Sequence, residues 1–154
     1  MDRVLSIMLG LALAACASTP ASTATAKAGG PAHERAASHA LKLVGAPYRY
    51  GGTSPNTGFD CSGLVQYSYR RAGVELPRST EAQRRAAEPI RRADLRPGDL
   101  LFFDQEGKKN SHVALYVGNG QMVHAPSSGK TVRRDAVDSP YWKKHLSEIR
   151  RIRS

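Results

Sequence analysis

Cys61 is the side chain in this sequence best suited to covalent chemistry, and His112 and His124 are the two best suited to assist it. A thiol attacks a carbonyl carbon as its thiolate, yet a free cysteine, with a pKa of about 8.5, is mostly protonated at neutral pH. A helix N-terminus beside the sulfur would favour the thiolate through its unpaired N–H groups and could hold a developing oxyanion. A histidine within reach would take the thiol proton and return it to a leaving amine. The bland alternatives are a small buried hydrophobe for Cys61 and satisfied, half-buried strand residues for the two histidines.

The elements that must position these groups can be read from periodicity. After Asp60, the apolar residues Leu64, Val65, Tyr69 and Ala72 recur at helical spacing until Gly73, which predicts a helix with Cys61 in its first turn. An amphipathic helix is predicted from Pro31, with Glu34 near its start and Ala37, Ala40, Leu41 and Val44 as its stripe, ending at Gly45. Of the five histidines, His33 and His39 fall on that helix and His145 in a basic tail segment, and these three read as surface residues. His112 and His124 fall instead on two predicted strands, 112–117 and 121–125, joined by Gly118-Asn119-Gly120.

Register decides whether those two histidines can cooperate. A two-residue Asn119-Gly120 loop pairs Gly118 with Gln121, sets Leu115 opposite His124 and puts His112 on the other face. A three-residue loop with Gly120 left-handed pairs Val117 with Gln121 and Ala114 with His124, which makes the histidines diagonal neighbours on one face. The catalytic reading therefore requires the three-residue loop, and the two-residue register is expected to separate the histidines. It assigns His112 as general base and acid toward Cys61 and His124 as the group that orients it, with the reverse assignment left open.

A short helix is predicted within 77–87, capped by Ser79 or Thr80. Arg96-Pro97-Gly98-Asp99 is a turn leading into Leu100-Leu101-Phe102-Phe103, which suits a buried strand, and 132–137 and 148–153 are predicted edge strands. Helices first and an antiparallel sheet of about five strands afterwards is an α+β layout.

Chain-level features bound the rest. Residues 1–15 carry Arg3 before an apolar run too short to span a bilayer, and read as an export signal. Leu13-Ala14-Ala15-Cys16 resembles a bacterial lipobox, which implies lipid on Cys16, membrane attachment and, with Ala17 following, sorting to the outer membrane. Residues 16–30, rich in Ala, Ser and Thr, form a tether, and 31–154 a single domain of about 120 residues. With Cys16 lipidated, Cys61 is the only free thiol, a liability in an oxidising compartment unless it has chemistry to do. The formal net charge is +10, but the arginine pairs are scattered and no nucleic-acid motif accompanies them, so a solvated basic surface is expected and no nucleic-acid partner. No cofactor or metal is expected, and the chain is expected to be a monomer.

Tyr48-Arg49-Tyr50-Gly51-Gly52, Phe59-Asp60-Cys61-Ser62-Gly63-Leu64-Val65, Leu76-Pro77-Arg78-Ser79-Thr80, Pro97-Gly98-Asp99-Leu100, the 112–118 strand and Val123-His124-Ala125 together resemble the NlpC-type cell-wall cysteine peptidases, in that family's order. Pro140-Tyr141-Trp142-Lys143-Lys144 resembles its lipoprotein murein DD-endopeptidase branch. The resemblance implies a papain-like cysteine peptidase fold and a Cys61, His112, His124 triad. It also implies that Tyr48 lies beside the thiol to help bind substrate or the oxyanion, and that Asp60 and Ser62 line the site. Tyr48 could equally pack under the Gly51-Gly52 turn, and Asp60 could be only a helix cap. The implied substrate is the peptidoglycan stem peptide. The expected bond is the D-alanyl to meso-diaminopimelyl cross-link, with the γ-D-glutamyl to meso-diaminopimelyl bond as the alternative; a non-catalytic wall-binding protein and an acyltransferase are more distant readings.

Overall fold

The computed structural model describes residues 31–153. The predicted export signal, Cys16 and the predicted tether lie outside the described residues. Helix α1, Ala32–Leu41, starts after Pro31, whose fixed φ suits the helix entry, and buries Ala36, Ala37 and Ala40. It is shorter than the periodicity predicts: Leu41 and Val44 are exposed, and Gly45, at φ +96°, turns the chain away. His33 is half-buried rather than on the surface, its Nε2 2.8 Å from the Ile152 carbonyl and its ring edge-on to Tyr69.

Strands β1 (Thr53–Ser54) and β2 (Gly58–Phe59) form a small hairpin leading into helix α2, Cys61–Arg71. Asp60 is its N-cap, Oδ1 accepting from the Gly63 N–H at 2.8 Å. The predicted stripe is buried: Leu64, Val65 and Tyr69 are fully inaccessible, and the Tyr69 hydroxyl donates to the Gly98 carbonyl at 2.7 Å. Helix α3, Thr80–Arg85, is capped by Ser79, which accepts from the Ala82 N–H.

The main sheet is antiparallel with six strands, in the order β3-β8-β4-β5-β6-β7. These are β3 (Ala87–Pro89), β4 (Leu100–Gln105), β5 (Lys108–Gly118), β6 (Gln121–His124), β7 (Arg133–Ala136) and β8 (Leu146–Ile152). β7 is the predicted edge, but β8 is internal, because Ala87–Pro89 pairs with it and becomes the edge instead. Both faces of the central strands are covered. Leu100, Phe102, Val113 and Leu115 pack with α1 and α2, whereas Leu101, Phe103, Ala114 and Met122 pack with Trp142 of the short helix α4, Pro140–His145. That double covering is why 100–103 is apolar without alternation.

The β5–β6 hairpin corrects the expected loop. Its turn is the two-residue Asn119-Gly120, both left-handed at φ +52° and +69°, closed by Gly118 opposite Gln121. A bulge follows at once: Val117 is the extra residue, Gly118 adopts φ +95°, and Tyr116 then pairs with Met122 and Leu115 with Val123. The histidines thus share a face through a bulge beside the turn, not through a longer loop.

Candidate active site

Cys61 reaches a cleft of about 350 Å³ from the first turn of α2, and His112 reaches it from β5; Tyr48, Tyr50, Ser111 and Ala125 supply other walls. The start of α2 is locked by glycines. A Cβ on Gly63 would lie 2.0 Å from the Gly52 carbonyl oxygen, so only glycine lets the helix start approach the Gly51-Gly52 turn, whose Gly51 N–H donates to Asp60 Oδ2 at 3.0 Å. Cys61 is half-buried as a residue, and its sulfur stands 3.6 Å from the Thr80 hydroxyl. It is the free cysteine of the described residues.

Behind the cleft the two imidazoles and a carboxylate form a chain. His112 Nε2 is 3.0 Å from His124 Nδ1, and His124 Nε2 is 2.8 Å from Asp135 Oδ2 on β7. Asp135 is also held by Arg133, at 2.8 and 3.1 Å to Oδ1. The carboxylate only accepts, so His124 Nε2 carries hydrogen; His124 Nδ1 then accepts, and His112 Nε2 donates to it. His112 Nδ1 is left as a bare lone pair, the atom that can take a proton.

Burial dominates the electrostatics of this site. Burial pushes the Cys61 thiol up, outweighing hydrogen bonds from the Val113 backbone and Thr80. Burial pushes His112 down to about 3, with the neighbouring His124 adding to the effect. His124 is lowered too, by burial, against the raising influence of Asp135. Burial alone would raise Asp135, but bonds from His124 and Arg133 hold it below the usual carboxylate range. Both shifts favour the neutral thiol and the neutral imidazole.

Tyr48 is half-buried in the cleft wall, and burial followed by the nearby Cys61 and Asp60 raises its phenol, which stays a donor. Asp60 and Ser62 are not brought into the cleft. The Asp60 carboxylate is taken up by Gly63, Gly51 and Arg78, the last at 2.7 Å, and the Ser62 hydroxyl is buried and accepts from Arg78 Nη1 at 2.8 Å. Arg78 thus ties Asp60 to Ser62 behind the nucleophile.

Three contributors escape the sequence reasoning. Asp135 is eleven residues from His124 and meets it only through the β6–β7 register, in which Met122 faces Asp135. Arg78 stands in a quoted motif, but nothing local announces its two partners. Trp142 stacks on His112 with centroids 5.5 Å apart and 24° between planes, and meets His124 edge-on at 4.8 Å. The Tyr141-Trp142 pair ahead of Lys143-Lys144 is the signal that could have found it. Among the described residues, no group of His, Cys, Asp and Glu side chains is arranged to hold a metal ion.

A sequence profile described as the NlpC/P60 family matches residues 45–151. The chain is 44% identical over 123 residues to the bifunctional muramidase/DL-endopeptidase CwlT of Bacillus subtilis, covering 79% of this chain and 37% of that protein. It is 44% identical over 111 residues to the murein DD-endopeptidase MepS/murein LD-carboxypeptidase of Escherichia coli, covering 71% of this chain and 57% of that one. The crystal structure of a lipoprotein-like NLP/P60 family protein from Staphylococcus aureus superposes with a TM-score of 0.71 at 38% identity, over 80% of this chain and 42% of the other. The chain therefore spans less than two thirds of each of these relatives.

Proposed function

The chain belongs to the NlpC/P60 family, and on that premise we propose that it is a peptidoglycan endopeptidase whose nucleophile is Cys61, with His112 as general base and acid and His124 as the orienting residue. The observation that carries this reading is the 3.0 Å bond from His112 to His124, with His112 and Cys61 lining one cleft. As substrate enters, the thiol proton passes to His112 Nδ1 while Sγ bonds to the scissile carbonyl carbon. Collapse of the tetrahedral adduct breaks the C–N bond, and His112 returns its proton to the leaving nitrogen. Water then attacks the thioester with His112 again as base, releasing the carboxylic acid half and restoring the thiol. Tyr48 and the N–H groups at the start of α2 are the donors available to the oxyanion. Asp60 and Ser62 act by holding the α2 start and Arg78 in place rather than by touching substrate.

The bond cut is the D-alanyl to meso-diaminopimelyl cross-link. The similarity to a murein DD-endopeptidase supports this, and the equal identity to a DL-endopeptidase keeps the γ-D-glutamyl bond as the second reading. The chain works as a monomer in the cell envelope, held by lipid on Cys16 at the outer membrane. No described helix is long and apolar enough to cross a membrane.

The test is incubation of the full chain with cross-linked muropeptides, read by mass spectrometry. Monomers that disappear with Cys61→Ser support the reading, and their masses identify the bond. Binding without products would leave a wall-binding protein, and acyl transfer with intact stems an acyltransferase. Loss of labelled palmitate on Cys16→Ser checks the anchor.

A further inference from the structure

A second hollow, of about 490 Å³, lies against the far side of the histidine pair. It shares Gln105, Glu106 and Pro126 with the catalytic cleft, so the two are neighbours across one ridge. Its lining includes His124, Asp135 and Trp142, the three residues that hold His112. One wall carries Lys130 and Arg133. Arg133 already grips Asp135, but the exposed Lys130 ammonium makes no ion pair among the described residues.

The ridge itself is unusual. Glu106 sits at φ +52°, in the left-handed region that an L-residue with a long side chain seldom adopts, at the tip of the β4–β5 hairpin. The fold thus holds an exposed carboxylate at the junction of the two hollows, in the same lining as the Lys130 ammonium. A cation and an anion presented together suit a ligand that carries both charges.

Mechanism says which half of the substrate lies here. The general acid must stand beside the leaving nitrogen, so the amine half leaves on the side of His112, and the hollow on that side is floored by His124 and Trp142. We propose that this hollow binds the amine half of the substrate through an α-amino-acid centre bearing a free carboxylate, the carboxylate on Lys130 and Arg133 and the freed ammonium facing Glu106. This rests on the endopeptidase reading above and deepens it. In the D-alanyl cross-link, the carbon bearing the scissile nitrogen also bears a free carboxylate. In a γ-D-glutamyl bond within a longer stem, that carboxyl is tied up as an amide. The hollow therefore selects between the two bonds.

The test compares cross-linked muropeptide dimers whose carboxylate beside the scissile nitrogen is free or converted to a primary amide, using the full chain. Because charge-assisted bonds are the strong ones, the free acid is expected to be preferred about tenfold or more in kcat/KM, and Lys130→Gln to bring the two substrates within about threefold. No preference in the unmutated chain, or an unchanged preference in a folded Lys130→Gln chain, overturns the proposal while leaving the endopeptidase standing. If no muropeptide is cut, the endopeptidase reading falls and the hollow is judged alone. Trp142 is the single tryptophan, so its fluorescence reports binding of free meso-diaminopimelate. A saturable change lost in Lys130→Gln supports the site, and the absence of any saturable change overturns it.

Discussion

Two hydrogen bonds, His112 to His124 and His124 to Asp135, decide which nitrogen of His112 is free to act as a base. Replacing Asp135 by Asn lets an amide N–H face His124 Nε2, which reverses the direction of both bonds and puts hydrogen on His112 Nδ1. Asp135→Asn is expected to lower kcat about a hundredfold or more with little change in KM, as loss of an orienting carboxylate does in other triads. Nitrogen NMR of the His112 ring is the check, since a fall in rate with an unaltered tautomer would point to some other cause. The thiol gives a second prediction. Its ionisation is pushed upward, so alkylation of resting Cys61 by iodoacetamide should be slow at pH 7 and keep rising with pH through the neutral range without a plateau. A rate already at plateau near pH 6 would mean that the ion pair exists before substrate arrives. That His112 and His124 would meet, and that Cys61 would start a helix, was legible because a hairpin and a capped helix are local signals. Asp135 was not, because its role is created by a strand register that no periodicity states.

At the scale of elements, the bulge at Val117 and Gly118 is the device that aligns the histidines. Gly118→Val places a β-branched side chain at φ +95°, expected to cost about 1–2 kcal/mol and to drive the strand toward regular pairing. That pairing turns His112 to the opposite face from His124. Deleting Val117, the extra residue, should by contrast keep Tyr116 opposite Met122 and retain activity. Thermal unfolding together with turnover separates the two variants; equal loss in both would show that the bulge does not set the register. The helix starts, the turn glycines and the central strands were readable because apolar spacing and capping residues are local signals. The short strand Ala87–Pro89 and the helix Pro140–His145 were not, since neither has enough residues to display a period, and both are fixed by what they pack on. The hairpin lies between: its glycines announced a turn, but the same triplet serves a longer loop or a tight turn plus a bulge.

At the scale of the molecule, burying neutral histidines ties the stability of the fold to pH. His112 titrates near 3 in the folded chain and near 6.5 when unfolded, so between those values the unfolded chain binds more protons. This contribution is whole above about pH 6.5 and is lost as pH falls toward 3, with a slope of up to about 1.4 kcal/mol per pH unit. Urea unfolding at pH 7, 5.5 and 4.5 should show the decline, and His112→Gln should flatten it; equal slopes would remove His112 as the cause. The division of the site between helix and sheet has one more consequence. The sulfur comes from a helix whose start is clamped by Gly52 and Arg78, and its base from a strand aligned by a bulge, a second histidine and a third strand. Neither half is a catalyst by itself, since the thiol and the base that would take its proton stand on different elements and meet only in the cleft. Completing the fold is therefore the step that arms the chain.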